Sequence, residues 1–521
     1  MSCAGDTSYL RRTMSILAGD LLNPAPVSTL REALDRIGGK SDVWLTVHAG
    51  VNRQTFGGAV LSRLARCWAR SLREAGVQRG DRVALLLPND IPFVAAFFGC
   101  QYLGAVPVPL AWPVSLLDLN RVLDSLGPLV ANAAPRVIVT TPAVASMKPF
   151  GLPAVVAPHP VPARGLVAPA KDDPAFIQYT SGSLGRPRGV VITQQAAVAS
   201  AWSMGQALGV GRQDVGVSWL PLFHDMGLVG GLLCPLLYRF PLHLMSPGEF
   251  LLHPRRWLRL ISEEKGTVAT APDFAYALCA RRVKDLAGLD LSSWRHALSG
   301  SEPVHRSTLD AFAEQFAPTG FSARALKPVY GLAENTLGVC FGDGEEPDAE
   351  WQGRTICSVG RPIPGMEVQI SESGEVLVRG PSRMTVYFRD PEATARTVRD
   401  GWLHTGDLGF ICDGRLYLTG REKDLVIQNG RKFHPYDIER IAAAAVDAMP
   451  NGAAAFADAD EALVVVVETR EQLDDVEKRV RGELMAALGV RPSRVVQVGL
   501  GELPRTSSGK LRRNACVERF T

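Results

Sequence analysis

The sequence predicts an α/β protein: a large N-terminal domain of parallel-rich sheets flanked by helices, a small β-subdomain, and a small α+β domain at the C-terminus. Three observations carry this prediction. Short continuous apolar runs such as Val83–Leu87 and Val137–Thr140 alternate with stretches of helical period, as strands buried on both faces do. After Glu350 the texture changes to short alternating strands at Glu367–Ile370 and Glu375–Arg379. A second change near Arg421–Asp424 opens a tail of the size of a small domain. The boundaries are therefore placed at 1–423, with the β-subdomain at about 350–423, and at 424–521.

Taken in order, Thr29 and Glu32 have the spacing of a capping box that opens a helix over Leu30–Ile37. A longer helix follows, with Leu61, Leu64, Ala65, Trp68 and Leu72 on one face and Gly76 as its stop. Phe93–Gly104 reads as helix. Phe176–Tyr179, Val217–Trp219, Leu242–Met245, Thr267–Thr270 and Trp294–Ser299 read as further strands in the same alternation. Residues 142–172, rich in Pro, Ala and Val, read as a surface connector. In the tail, Leu425–Ile427 and Ile438–Val446 precede a strand at Ala462–Glu468 and a helix over Asp474–Leu488.

The bulk numbers exclude several function classes. A chain of 521 residues is too long for one core. A net charge of +3, with no basic stripe interleaved with aromatics, argues against a nucleic-acid partner. The nine cysteines are scattered without a close pair, which argues against a disulfide framework or a zinc site and for a cytoplasmic setting. No signal peptide is evident, and the most apolar stretch, Val217–Tyr238, is broken by His224, Asp225 and glycines, so no integral membrane contact is expected.

The chemistry concentrates first in the loop Thr180–Gly189. Gly182, Gly185 and Gly189 let backbone N–H groups approach a ligand, Thr180, Ser181 and Ser183 add hydroxyls, and Arg186 and Arg188 add fixed charge. This composition suits a polyphosphate cradle, although a plain Gly/Ser loop between strands fits the same residues. Further polar, glycine-bearing stretches are Trp219–Gly231, Ser299–Pro303, Tyr330–Asn335, Gly401–Gly409 with Gly420–Asp424, and Leu503–Lys510. Singly each has a plainer reading: Asp407 a turn residue, Lys510 tail charge, His224 a satisfied loop histidine, Glu334 a helix cap.

In this order, from Gly80 to Lys510, the stretches resemble the adenylate-forming superfamily, most closely fatty acyl-AMP ligases and acyl-CoA synthetases. His224–Leu228, Ala271–Tyr276 and Ala96–Cys100 are similar to the signatures of fatty acyl-AMP ligases. The resemblance implies a ligase that uses ATP and Mg2+ to convert a carboxylic acid to an acyl-adenylate, then passes the acyl group to a thiol. It implies that Thr180, Ser181, Gly182, Ser183, Gly185 and Arg188 hold phosphates, and that Glu334 with Thr180 faces the magnesium. Gly300, Ser301, Glu302, Tyr330 and Gly331 would line the adenine slot, Asp407 would accept the ribose hydroxyls, and Arg421 would sit near ribose and α-phosphate. His224 would stand near the acyl entrance, with Met226, Gly230 and Phe274 lining the acyl pocket. Lys510 would stabilise the reacting α-phosphate, and Asp424 would be the hinge of a mobile C-terminal domain.

The sequence departs from the pattern at Leu184, where the family usually has Thr, at Arg188, where it has Lys, and at Ser299–Ser301, where its fatty acyl-AMP ligases have Asn-Gly-Ala. The span Glu334–Ser358 is shorter than in fatty acyl-AMP ligases, where an insertion is thought to bar coenzyme A. The leading expectation is a ligase for a fatty or related acid with an acyl carrier protein as acceptor. An acyl-CoA synthetase is the alternative, and a non-catalytic nucleotide- or acyl-binding homologue a remote one.

Overall fold

A computed structural model describes residues 16–39, 42–113, 118–180, 187–351, 354–421, 424–428, 431–449, 451–458, 462–505 and 511–521. A nine-stranded sheet runs in the order Arg361–Pro362, Gly338–Phe341, Leu326–Gly331, His296–Gly300, Val268–Pro272, Gly216–Ser218, Leu242–Met245, Val43–Ala49, Asn52–Gly57. Its interior, from Leu326–Gly331 to Val43–Ala49, is parallel, and both edges are antiparallel. A four-stranded parallel sheet joins Val106–Pro109, Arg82–Leu86, Val137–Thr140 and Ala154–Val155. The last of these strands, with the short helix Pro142–Ala145, lies in the segment expected to be a plain connector.

Local chemistry accounts for the helices. Thr29 Oγ1 accepts from Glu32 N at 3.2 Å, while Glu32 Oε2 accepts from Ser28 N at 2.8 Å, so the box closes one residue before the cap. Helix Ile91–Leu103 is apolar all round and buried throughout, so it packs inside, against helix Gly58–Glu74 and the four-stranded sheet. It stops at Gly104, whose φ of 65° is left-handed. Val217–Tyr238 folds as the end of a strand, then a π-helix Met226–Leu233 that runs into helix Cys234–Tyr238. Among the described residues no helix is long and apolar enough to cross a membrane.

One expectation of direction fails. Strand Pro174–Thr180 does not join the parallel alternation. It pairs antiparallel with Arg188–Thr193, which pairs in turn with Val386–Tyr387. The connection is too short for a parallel crossover, and a run buried on both faces carries no mark of its direction.

The β-subdomain is a six-stranded antiparallel sheet in which Glu367–Ile370, Glu375–Arg379, Trp402–Cys412 and Arg415–Arg421 are the main strands. It recruits Leu17–Ala18 from the N-terminus, which no local signal announces. From residue 426 onward the chain closes a core of its own, with Ile438, Leu463, Val465, Val480 and Leu484 fully buried between helices and a three-stranded sheet. The described free cysteines are all buried, and Cys412 is disulfide-bonded.

Candidate active site

The parallel strands, the antiparallel hairpin and the C-terminal unit meet around a cavity of about 1400 Å³. Its polar mouth is lined by Thr180, Arg188, Glu334, Tyr387 and Arg421, and its inner wall by Met204, Val217, Cys234, Phe240 and Leu242. One enclosure therefore joins a surface suited to anions with one suited to an alkyl chain.

The tightest polar cluster comes from a strand register. Strands Trp402–Cys412 and Arg415–Arg421 pair so that Asp407 stands opposite Arg421. Arg421 Nε donates to Asp407 Oδ1 at 2.7 Å, and Tyr330 Oη donates to Oδ2 at 2.6 Å. Asp407 is 6% exposed, so it needs both donors: a buried carboxylate left unpaired is costly. The Asp407 charge holds the Arg421 guanidinium cationic, above its usual range, and burial with that same charge keeps the Tyr330 phenol protonated. Tyr330 and Arg421 line the cavity with their partner held directly behind them.

Thr180 and Arg188 are register partners across the hairpin, and both line the mouth with Glu334. Ser181, Gly182, Ser183, Leu184, Gly185 and Arg186 lie outside the described residues, as does Lys510. Ser301, Gly331, His224, Met226 and Gly230 line the cavity, and His224 Nδ1 lies 2.5 Å from Asp225 Oδ1.

Phe274, Gly300, Glu302 and Asp407 are not among the lining residues. Phe274 sits edge-on to Trp219 in an aromatic cluster, ring centroids 6.4 Å apart. Gly300 answers a packing need, because a Cβ there would stand 2.6 Å from Val329 O. Glu302 accepts from Phe274 N at 2.6 Å through Oε1, and from Asn451 Nδ2 at 3.1 Å through Oε2. The placement of Glu302 thus ties the large domain to the C-terminal unit.

That tie is one of several. Arg281 donates to Ala448 O at 2.6 Å and to Asp447 O at 3.1 Å, His305 stacks on Tyr436 at 4.6 Å, and Arg354 meets Asp437 at 2.7 Å. On the cavity side the unit presents Gly501–Arg505 and Arg512 to the lining. Arg505 is held there by the buried Glu468, at 2.6 and 3.0 Å. Asp424 accepts from Arg513 at 3.4 Å. Residues on both sides of position 510 therefore face the cavity. Arg512 is among them.

The donor set fits the groups the resemblance implies. Glu334 and Thr180 offer oxygen ligands of the kind Mg2+ takes, beside the cation of Arg188 and facing the same space. Away from the cavity, His48, His243 and Glu264 also cluster, with His48 Nε2 3.1 Å from His243 Nδ1 and His243 Nε2 3.6 Å from Glu264 Oε2. Arg53 already occupies Glu264 at 2.9 Å, and the hydrogen bond within the group is the one between the two histidines. Sequence reasoning missed Tyr387, Arg281 and Asn451. Only Tyr387 carried a signal, the short apolar run Val386–Phe388 ahead of Arg389 and Asp390; the other two act through contacts distant in sequence.

Comparison with known proteins identifies the family. The AMP-binding enzyme family profile matches residues 43–388. The chain is 34% identical to a Caulobacter vibrioides protein named as an acyl-CoA synthetase, over 94% of this chain and 95% of that protein. It is 33% identical to the medium-chain-fatty-acid–[acyl-carrier-protein] ligase JamA of Moorena producens, over 88% and 89%. A solved chain from work on fatty acyl-adenylate ligases of E. coli and L. pneumophila superposes with a TM-score of 0.87 at 33% identity, covering 95% of this chain and 99% of that one. The match spans well over half of the sequence and its relatives align almost end to end: the chain belongs to the AMP-binding enzyme family.

Proposed function

We propose that this ligase activates a fatty or related carboxylic acid with ATP, forming an acyl-adenylate, and delivers the acyl group to the phosphopantetheine thiol of an acyl carrier protein. The observation that supports this most is one cavity with Tyr330 and Arg421, the two donors to Asp407, at its polar end and an aliphatic wall at the other. A carboxylate oxygen attacks the α-phosphorus of ATP, the bond to the pyrophosphate oxygen breaks, and pyrophosphate leaves. Two anions must be brought together, so the site has to supply cations and in-line positioning. Thr180–Arg188 would hold the terminal phosphates, with Gly300, Ser301, Tyr330 and Gly331 near the base. Asp407 would take the ribose hydroxyls, and Arg421 would lie beside the α-phosphate. Glu334 and Thr180 would hold Mg2+, which when bound neutralises phosphate charge.

Lys510 would lend a point charge to the developing negative charge on the α-phosphoryl group, and rotation about Asp424 would withdraw it before thiol transfer. We place the enzyme in the cytoplasm, where ATP and thiol acceptors meet. The test is acid-dependent pyrophosphate release across a panel of carboxylic acids. Lys510→Ala should abolish release yet largely spare thiol transfer from supplied acyl-adenylate, and equal loss in both half-reactions would refute the division of labour.

Free coenzyme A as acceptor is the second reading, favoured by the shortness of the span after Glu334. Its described strands before Ser358 are Gly338–Phe341 and the hairpin of Asp348–Trp351 and Arg354–Cys357. Thioester formation with coenzyme A but not with a holo carrier protein would decide for it.

A further inference from the structure

Glu334 does not hang free in the cavity mouth. Tyr387 Oη donates to its Oε1 at 2.7 Å, and Met384 N donates to its backbone oxygen at 2.7 Å. Tyr387 is itself fixed on three sides. Its strand pairs with the return strand of the hairpin, Tyr387 opposite Val190 and Val386 opposite Val191. Its backbone N donates to Thr394 Oγ1 at 2.9 Å, and the Arg188 guanidinium lies 5.3 Å from its ring centroid. The side chain is buried, yet Tyr387, Arg188 and Glu334 all line the cavity.

A carboxylate has more acceptor directions than one phenol can fill. Tyr387 takes one direction on Oε1 and leaves the others to the cavity, so the hydroxyl sets the angle at which Glu334 presents its oxygens. The ring meanwhile ties that carboxylate to Arg188, the described end of the loop Thr180–Gly189.

We infer that Tyr387 is a positioning residue: its hydroxyl aims Glu334 at the divalent cation that accompanies ATP, and its ring keeps that carboxylate in register with Arg188. The inference rests on the reading of Glu334 as the magnesium-facing residue. Groups that orient metal-binding carboxylates commonly change metal affinity by one to two decades when removed.

The test is Tyr387→Phe, which keeps the ring and its contact with Arg188 and deletes one oxygen. Mn2+ binding is measured by electron paramagnetic resonance with a non-hydrolysable ATP analogue present, and analogue binding is measured separately in EDTA. The Mn2+ dissociation constant should rise about tenfold, with metal-free analogue binding and the melting temperature unchanged. Tyr387→Phe should add nothing further in a Glu334→Gln background, where the group it aims has lost its charge. An Mn2+ constant within twofold of wild type would overturn the inference and leave the reading of Glu334 standing. So would equal weakening of metal-free binding, or a second loss in the Glu334→Gln background. Failure of the wild-type protein to bind Mn2+ with the analogue would overturn that reading and the inference with it.

Discussion

Replacing Tyr330 by Phe deletes the one hydroxyl that holds Asp407 Oδ2, at 2.6 Å, while Arg421 keeps its own bond to Oδ1. A hydrogen bond to a charged, buried acceptor contributes about 1.5–3 kcal/mol. Because Arg421 still holds the other oxygen, the loss should fall in the lower half of that range, an expected decrease of about ten- to fiftyfold in kcat/KM for ATP. The assay is acid-dependent pyrophosphate release at varied ATP, run as a cycle with Asp407→Asn. That second change removes the carboxylate charge and one of its two acceptor oxygens and is expected to cost about a hundredfold or more. In the Asp407→Asn background Tyr330→Phe should then matter less than twofold, a coupling of at least about 1 kcal/mol between the residues. Two results would refute the reasoning: a single variant within twofold of wild type, or the same fold loss in both backgrounds. Thermal melting guards against a trivial cause, since the ring of Tyr330 stays packed in either case.

Other consequences are open to measurement. His296 is buried, and neither ring nitrogen has a hydrogen-bond partner among the described residues; burial first, then Lys327 and Arg295, pushes its pKa down to about 4. The unfolded chain takes up this proton as pH falls below about 6.5 and the folded chain resists until about 4, so stability is lost across that window. His296→Leu should therefore gain stability relative to wild type by on the order of 2 kcal/mol at pH 5 and less at pH 8, read by urea unfolding at both; a pH-independent difference would contradict this. A Cβ on Gly216 would stand 3.2 Å from Phe240, 3.3 Å from Leu242 and 3.6 Å from Pro235, all in the inner wall. Gly216→Val should lower kcat/KM for the longest accepted acid about tenfold or more and favour shorter ones, and an unchanged chain-length profile would place the acyl end elsewhere. Arg281→Ala with Asn451→Ala removes the bonds to Asp447, Ala448 and Glu302. Limited proteolysis near residues 421–424 should become several-fold faster, and an unchanged rate would mean that these contacts do not hold the C-terminal unit.

Much of this architecture was legible in the sequence because apolar runs and glycine stops are local signals. Val137–Thr140, Leu242–Met245, Glu367–Ile370 and Glu375–Arg379 fall where their patterns put them. Direction was less legible: Pro174–Thr180 is as apolar as any parallel strand, yet its short connection makes it half of a hairpin. Strand Asn52–Gly57 escaped detection because its residues are polar and mostly exposed, with nothing to alternate against. The candidate site divides along the same line. Asp407 and Arg421 meet because the hairpin between them brings them into register, whereas Glu302 is claimed by Asn451, 149 residues away, for which no short-range pattern exists. Phe274 reads as a pocket aromatic until Trp219 and its neighbours provide a better-packed home.

The burial of the free thiols bears on a hazard peculiar to this chemistry. An acyl-adenylate is a mixed anhydride, a strong electrophile made beside the protein's own side chains, and thiolates are the side chains that would attack it fastest. Cys234 stands in the cavity wall itself, only 6% exposed, and desolvation pushes its thiol up to about 12. Cys357 and Cys516 are pushed to about 12 as well, and Cys100, Cys279 and Cys340 further still. Held as neutral thiols, these six cysteines are poor competitors with the incoming acceptor for the acyl group that the enzyme activates.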